Sequence, residues 1–109
     1  MTNVRFGFTP THPGEVLKDE IEYRKLSQSK LAEQMGMSYK ILNDILNERR
    51  PITPTTAMMF EAALGIPAYS LINIQTKYNM QVASRDTTFM AKLANIRRTS
   101  NNYTKIAPM

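Results

Sequence analysis

Apolar residues recur along this chain at spacings of three and four, the period of an amphipathic helix, and no stretch sustains the every-second-residue alternation of a half-buried strand. Asn-Gly and Asp-Gly hairpin turns are absent too. The pattern predicts an all-α fold. In "HPGEVLKDEIEYRKL" the residues Val16, Leu17, Ile21 and Leu26 share one side of a first helix, while Glu15, Asp19, Glu20 and Glu22 crowd its first half, where carboxylates suit the helix dipole. Ser27 is a hydroxyl N-cap for a second helix, from Gln28 to Met35, that buries Leu31, Ala32 and Met35. Lys30 at its third position precludes a full capping box, and Gly36 supplies the left-handed residue that closes it. Ser38 caps a third helix with Leu42, Ile45 and Leu46 inward, and Pro51 stops it. Thr53 and Pro54 start a fourth helix, which ends at Gly65. Pro67 opens a fifth, with Leu71, Ile74, Tyr78 and Val82 on one face. Met35, Met58 and Met59 stand at helical positions that favour core packing. After Ser84 one short helix would align Phe89, Leu93 and Ile96, and beyond Arg98 "TSNNYTKIAPM" reads as a disordered tail. The organisation expected is an N-terminal arm over residues 1–11, a helical domain over 12–84 and a C-terminal extension over 85–109.

A helix broken at Gly36 and restarted at Ser38 matches the helix-turn-helix arrangement, in which the first helix of the pair crosses the phosphate backbone and the second enters the major groove. The exposed side of the third helix then matters most. With Leu42, Ile45 and Leu46 inward, Tyr39, Lys40, Asn43 and Asp44 point outward as candidate base contacts. Asn pairs bidentately with adenine, Lys donates to guanine, and Tyr offers a hydroxyl to phosphate or a ring to a thymine methyl. Ser27, Gln28, Lys30, Ser38, Arg49 and Arg50 are the candidate phosphate contacts, by helix N-terminus or by charge. A polar helix face is by default only solvated, and Lys40 with Asp44 is also the spacing of a surface ion pair.

Charge adds less than the net value of +5 suggests. Residues 1–84 carry nine basic and eight acidic groups, whereas Arg85, Lys92, Arg97, Arg98 and Lys105 face only Asp86 in the last 25, so four of the five net charges belong to the extension. A nucleic-acid surface on the domain must come from local arrangement. The lack of cysteine excludes a disulfide framework, a thiolate zinc site and a cysteine nucleophile. No run of 18 apolar residues and no secretory hydrophobic segment occurs, which points to a soluble, cytoplasmic protein without a membrane partner.

The combination of "HPGEVLKDEI", "LSQSKLAEQMGMS", "LNDILNERRPITP", "ALGIP" and "NIQTKYNM" resembles the HigA antitoxins, also called virulence-associated protein VapI, within the lambda-repressor-like, XRE-type helix-turn-helix proteins. The similarity covers about residues 12 to 80. It implies a lambda-repressor-like five-helix domain in a homodimer that represses its own operon through a palindromic operator, usually with a HigB-type ribonuclease toxin as protein partner; the alternatives are a stand-alone phage-type regulator without a toxin and a toxin-binding protein with weak DNA binding. It also carries DNA contact onto Gln28, Ser38, Tyr39, Lys40 and Asn43, and equates Arg49 and Arg50 with the family's basic residues after the third helix. The family's dimer contacts often lie near the C-terminus, so Phe89, Leu93 and Ile96 become candidates for dimer or toxin contact, the alternative being that this stripe only folds back on the fifth helix. Tyr39 and Asp44 stand where relatives often carry Arg or another long polar residue, Glu48 where a Gly usually closes the helix, and Ser70 and Leu71 where an aromatic pair is usual. The resemblance therefore does not carry over an operator sequence.

His12, the only histidine, lacks the partners of a metal site or catalytic triad and fits a helix-start turn instead. No Gly-rich phosphate loop, serine-nucleophile motif or suitably spaced carboxylate pair occurs. Neither catalysis nor a cofactor or metal is expected.

Overall fold

The computed structural model describes residues 10–100, in six helices with no strand among them: α1 (Pro13–Tyr23), α2 (Gln28–Met35), α3 (Tyr39–Leu46), α4 (Pro54–Leu64), α5 (Ala68–Ser84) and α6 (Thr87–Thr99). The helix starts follow the caps. Ser27 Oγ accepts from Lys30 N at 3.2 Å, Ser38 Oγ from Ile41 N at 3.1 Å, and Thr53 Oγ1 from Thr56 N at 3.3 Å. Each bond satisfies a backbone donor that has no partner within its helix. Most of the arm expected over residues 1–11 and the tail beyond Ser100 lie outside the described residues.

Three helix ends close alike. After α1, α2 and α3, the residues Lys25, Gly36 and Glu48 take left-handed conformations with φ of 58°, 71° and 64°. Paired bonds then run back into each helix, as from Glu48 N to Ile45 O and Arg49 N to Asp44 O. This is the Schellman closure. Only Gly36 announces it in the sequence; Lys25 and Glu48 adopt it at a cost of about 1 kcal/mol each, because a β-carbon crowds the carbonyl in this region. The closure at Lys25 also ends α1 before Leu26, which is exposed rather than part of the first helix's buried face.

The chain divides into two compact units, between Tyr78 and Asn79 within α5. The core lies in the first. Leu17 and Ile21 of α1, Leu31, Ala32 and Met35 of α2, Leu42, Ile45 and Leu46 of α3, Ile52, Ala57, Phe60 and Leu64 around α4, and Leu71 of α5 form one buried cluster. At Gly14 a β-carbon would run into the carbonyl oxygen of Ile45, so α1 approaches the backbone of α3 where only glycine fits. Just before it, His12 caps α1: its Nδ1 accepts from Gly14 N at 2.9 Å, and its ring meets Tyr78 edge-on with centroids 4.8 Å apart. The helix-start role expected of His12 holds.

The core expectation for the methionines fails in part. Met58 and Met59 are 63% and 41% exposed, because the buried side of α4 is the Ala57, Phe60, Leu64 stripe, and only Met35 of the three methionines reaches the core. On α5 the buried positions are Leu71 and Gln75, with Ile74 and Tyr78 half-buried, and Val82 is exposed. Gln75 is a polar residue in an apolar position because its Oε1 accepts from Ile52 N at 2.8 Å, supplying a partner to the loop between α3 and α4. The second unit holds α6, capped by Asp86 Oδ1 on Phe89 N at 3.1 Å and without a single buried residue. No helix among the described residues is long and apolar enough to cross a membrane.

Candidate nucleic-acid interface

The junction of α2 and α3 follows from residues 35–38. Met35 anchors the end of α2, Gly36 reverses the chain in a conformation that side chains resist, and Ser38 caps α3 two residues on. The buried stripe of Leu42, Ile45 and Leu46 then holds α3 against the core and turns its other side outward. Tyr39 and Lys40 stand exposed in its first turn, and Asn43 is half-buried one turn on. Arg49 and Arg50 follow the helix, both exposed.

These groups form a connected set. Asn43 Nδ2 donates to Gln28 Oε1 at 3.3 Å, tying the first residue of α2 to the middle of α3. Asn43 Oδ1 accepts from Arg49 Nη2 at 3.0 Å, and Arg49 Nε donates to Asp44 Oδ1 at 3.1 Å. Lys40 Nζ pairs with the other oxygen, Asp44 Oδ2, at 3.1 Å. One chain of polar contacts thus runs through Lys40, Asp44, Arg49, Asn43 and Gln28.

Asp44 departs from its expected place among the exposed base contacts. Helical spacing sets it nearly opposite Leu42, yet it is only 8% exposed, and Lys40 and Arg49 each pair with one of its carboxylate oxygens. The Lys40 hydrogen bond lowers its pKa below the ordinary carboxylate value; burial opposes that shift, and Arg49 reinforces it. The carboxylate is ionised at neutral pH and occupied from both sides. The ion pair that the spacing of Lys40 and Asp44 allowed is real, and Arg49 is its third member.

Ser27 and Ser38 accept the capping bonds of α2 and α3, so both hydroxyls are oriented at helix N-termini, where the dipole favours an anion. Ser27 and Lys30 also line a cavity of about 420 Å³ with Arg24, Lys25 and Leu31. Arg24 donates to Glu20 Oε2 at 2.7 Å and to the carbonyl of Leu64 at 2.8 Å. Lys25 therefore joins Lys30 beside the start of α2, a neighbour that sequence spacing did not suggest because it depends on the turn at Lys25 itself. Three of the four acidic residues of α1 gather elsewhere: Glu15, Asp19 and Glu22, with Lys18, line a second cavity, of about 500 Å³, with Leu46, Asn47 and Glu48 at the far end of α3. These carboxylates thus lie beside the C-terminal end of α3, away from Tyr39 and Lys40 in its first turn.

A helix-turn-helix family model matches residues 17–71, the stretch that runs from α1 into α5. Virulence-associated protein I of Dichelobacter nodosus is 37% identical over 76 residues, which cover 69% of this chain and 70% of that protein. Among solved structures, PA4674 of Pseudomonas aeruginosa in complex with its operator DNA superimposes with a TM-score of 0.65 at 29% identity, over 82% of this chain and 93% of that one. An addiction module antidote protein of the HigA family from Coxiella burnetii superimposes with a TM-score of 0.66 at 25% identity, over 94% and 100% of the two chains. With α2 and α3 set by Gly36 and a model matched across their whole length, the chain belongs to the XRE-type helix-turn-helix family.

Proposed function

We propose that this protein is a sequence-specific DNA-binding repressor that reads a palindromic operator as a homodimer, and the antitoxin of a HigBA-type module that neutralises a HigB-type ribonuclease toxin. The observation that carries the DNA reading is the convergence of Tyr39, Lys40, Asn43, Gln28 and Arg49 on the outer side and ends of α3, where hydrogen bonds join Gln28, Asn43 and Arg49 and, through Asp44, Lys40. In this reading Tyr39, Lys40 and Asn43 meet base edges, and Ser27, Gln28, Lys30, Ser38, Arg49 and Arg50 hold phosphates. The relative solved on its operator DNA and the HigA-family relative support the two halves of the proposal.

Two copies would engage half-sites about 34 Å apart, or a multiple of that. Roughly six to eight phosphate contacts per dimer give a log-log salt slope of about −5 to −7. The test is fluorescence anisotropy of a duplex from the gene's own upstream region against a scrambled duplex, with wild type and Asn43→Ala. The preference for the upstream duplex should shrink by about 1 to 3 kcal/mol in the variant, the worth of one bidentate base contact. Equal binding of both duplexes by the wild type would refute base reading.

The surface proposed for dimer or toxin contact is the α6 stripe of Phe89, Leu93 and Ile96. Phe89 and Ile96 are 40% and 47% exposed, and a helix with an apolar stripe and no buried residue calls for cover. Sedimentation of Phe89→Asp and Ile96→Asp, alone and with the protein encoded by an adjacent reading frame, tests it; unchanged assembly in both settings would remove α6 from the interface.

A further inference from the structure

We infer that Asp44 is a specificity-determining positioning residue, which grips Lys40 and Arg49 and cancels one of their two charges, so that stable binding requires base contacts rather than phosphate attraction alone. The inference rests on the DNA-reading function proposed above. Three observations carry it. Asp44 divides its two oxygens between Lys40 and Arg49, each at 3.1 Å, which sets one cation near the start of α3 and the other just past its end. Its side chain is 12% exposed and lies outside the hydrophobic cluster, while those of Lys40 and Arg49 are 82% and 58% exposed, so the carboxylate is shielded at the pair while both cations face solvent. Arg49, held by Asp44, passes the restraint to Asn43 by donating to Oδ1, and that bond leaves the Asn43 amide a single orientation, with Nδ2 toward Gln28.

Charge and geometry then act in the same direction. Lys40, Arg49 and Asp44 together present a net charge of +1 to a duplex, and without the carboxylate they would present +2. A dimer would gain two positive charges, enough to steepen its salt slope by about 2 and to raise affinity for unrelated DNA by about tenfold. Freed cations follow phosphates wherever they lie. Operator binding gains less, because Asn43 loses its orientation as Arg49 leaves.

The decisive experiment measures operator and scrambled duplex affinities over a salt series for wild type, Asp44→Asn and Asp44→Glu, with thermal melting of each. Asp44→Asn should steepen the slope, raise scrambled-duplex affinity and cut the operator-to-scrambled ratio at least about fivefold, the low end of one base contact. Asp44→Glu, which keeps the charge, should hold the wild-type slope. A purely structural role would lower the melting temperature of Asp44→Asn and leave slope and ratio unchanged, which overturns the inference. Arg49→Lys is a second route that leaves the carboxylate in place: it keeps the charge but lacks the forked contact to Asp44 and Asn43, so the ratio should fall at constant slope, and wild-type behaviour here is equally fatal. The Arg49 Nε–Hε signal in NMR spectra of the free protein separates the two layers. A signal indifferent to Asp44→Asn refutes the grip itself. A signal that responds, in a protein that binds both duplexes equally, refutes the DNA reading and the inference with it.

Discussion

His12 joins helix capping to tertiary packing in one side chain, and replacing it separates them. His12 is 3% exposed, and its ring accepts from Gly14 N at 2.9 Å and meets Tyr78 edge-on. His12→Ala removes an N-cap worth about 1 kcal/mol. It also removes an aromatic contact worth about 1 kcal/mol more. A loss of about 2 kcal/mol corresponds to a fall in melting temperature of about 8 to 16 °C for a domain of this size. His12→Asn keeps an acceptor for Gly14 N and should recover about half of that, since only the ring is lost.

Acid should act on the same bond. Burial lowers the folded-state pKa of His12 below the ordinary imidazole value, and the nearby Glu48 carboxylate opposes that shift only in part. As pH falls below about 6.5 the unfolded chain binds the proton first, so stability declines from there and continues to decline until the folded imidazole is also protonated. Protonated Nδ1 would set a donor against the Gly14 N–H. Far-UV circular dichroism melts of wild type, His12→Ala and His12→Asn across this range provide the assay. A His12→Ala midpoint within about 2 °C of wild type at neutral pH would refute the capping argument. An unchanged acid-dependent step in His12→Asn would refute the assignment of that step to His12.

Gly14→Ala should cost about 1 to 3 kcal/mol by overpacking, since the new methyl meets the Ile45 carbonyl, and urea unfolding should show a lower midpoint with an unchanged slope. Glu48→Gly should stabilise by about 0.5 to 1 kcal/mol by relieving the left-handed conformation at φ 64°, read as a higher melting temperature. Gln75→Leu should destabilise by about 1 to 3 kcal/mol despite its greater hydrophobicity, because Ile52 N–H would lose its acceptor; a more stable variant in urea would refute that role.

Helix starts were legible in the sequence because a cap is a short-range event: Ser27, Ser38 and Thr53 each bond a backbone N–H three residues on, and nothing distant is needed to place them. The same holds for Gly36 and Gly65, whose positive φ is a property of the residue type. Lys25 and Glu48 close helices in the same conformation without such a mark, because the bonds that hold them reach back to carbonyls whose positions depend on the whole turn. The departures from the family pattern divide in the same way. Glu48 keeps the backbone geometry expected of a glycine, and Leu71 is fully buried where an aromatic is usual.

The sequence by itself determined the all-helical class, the order of the first five helices, the break at Gly36 and the residues of α3 that turn away from the core, since spacing, caps and glycine act within one or two turns of chain. Only the tertiary structure decided that Asp44 is buried and paired with Lys40 and Arg49, that Gln75 rather than a further apolar residue completes the buried face of α5, and that Met58 and Met59 stay outside. Periodicity gives the direction in which a side chain leaves its helix. Whether another group covers it depends on residues as far away as the 23 positions between Ile52 and Gln75, and that distance is closed only when the helices pack.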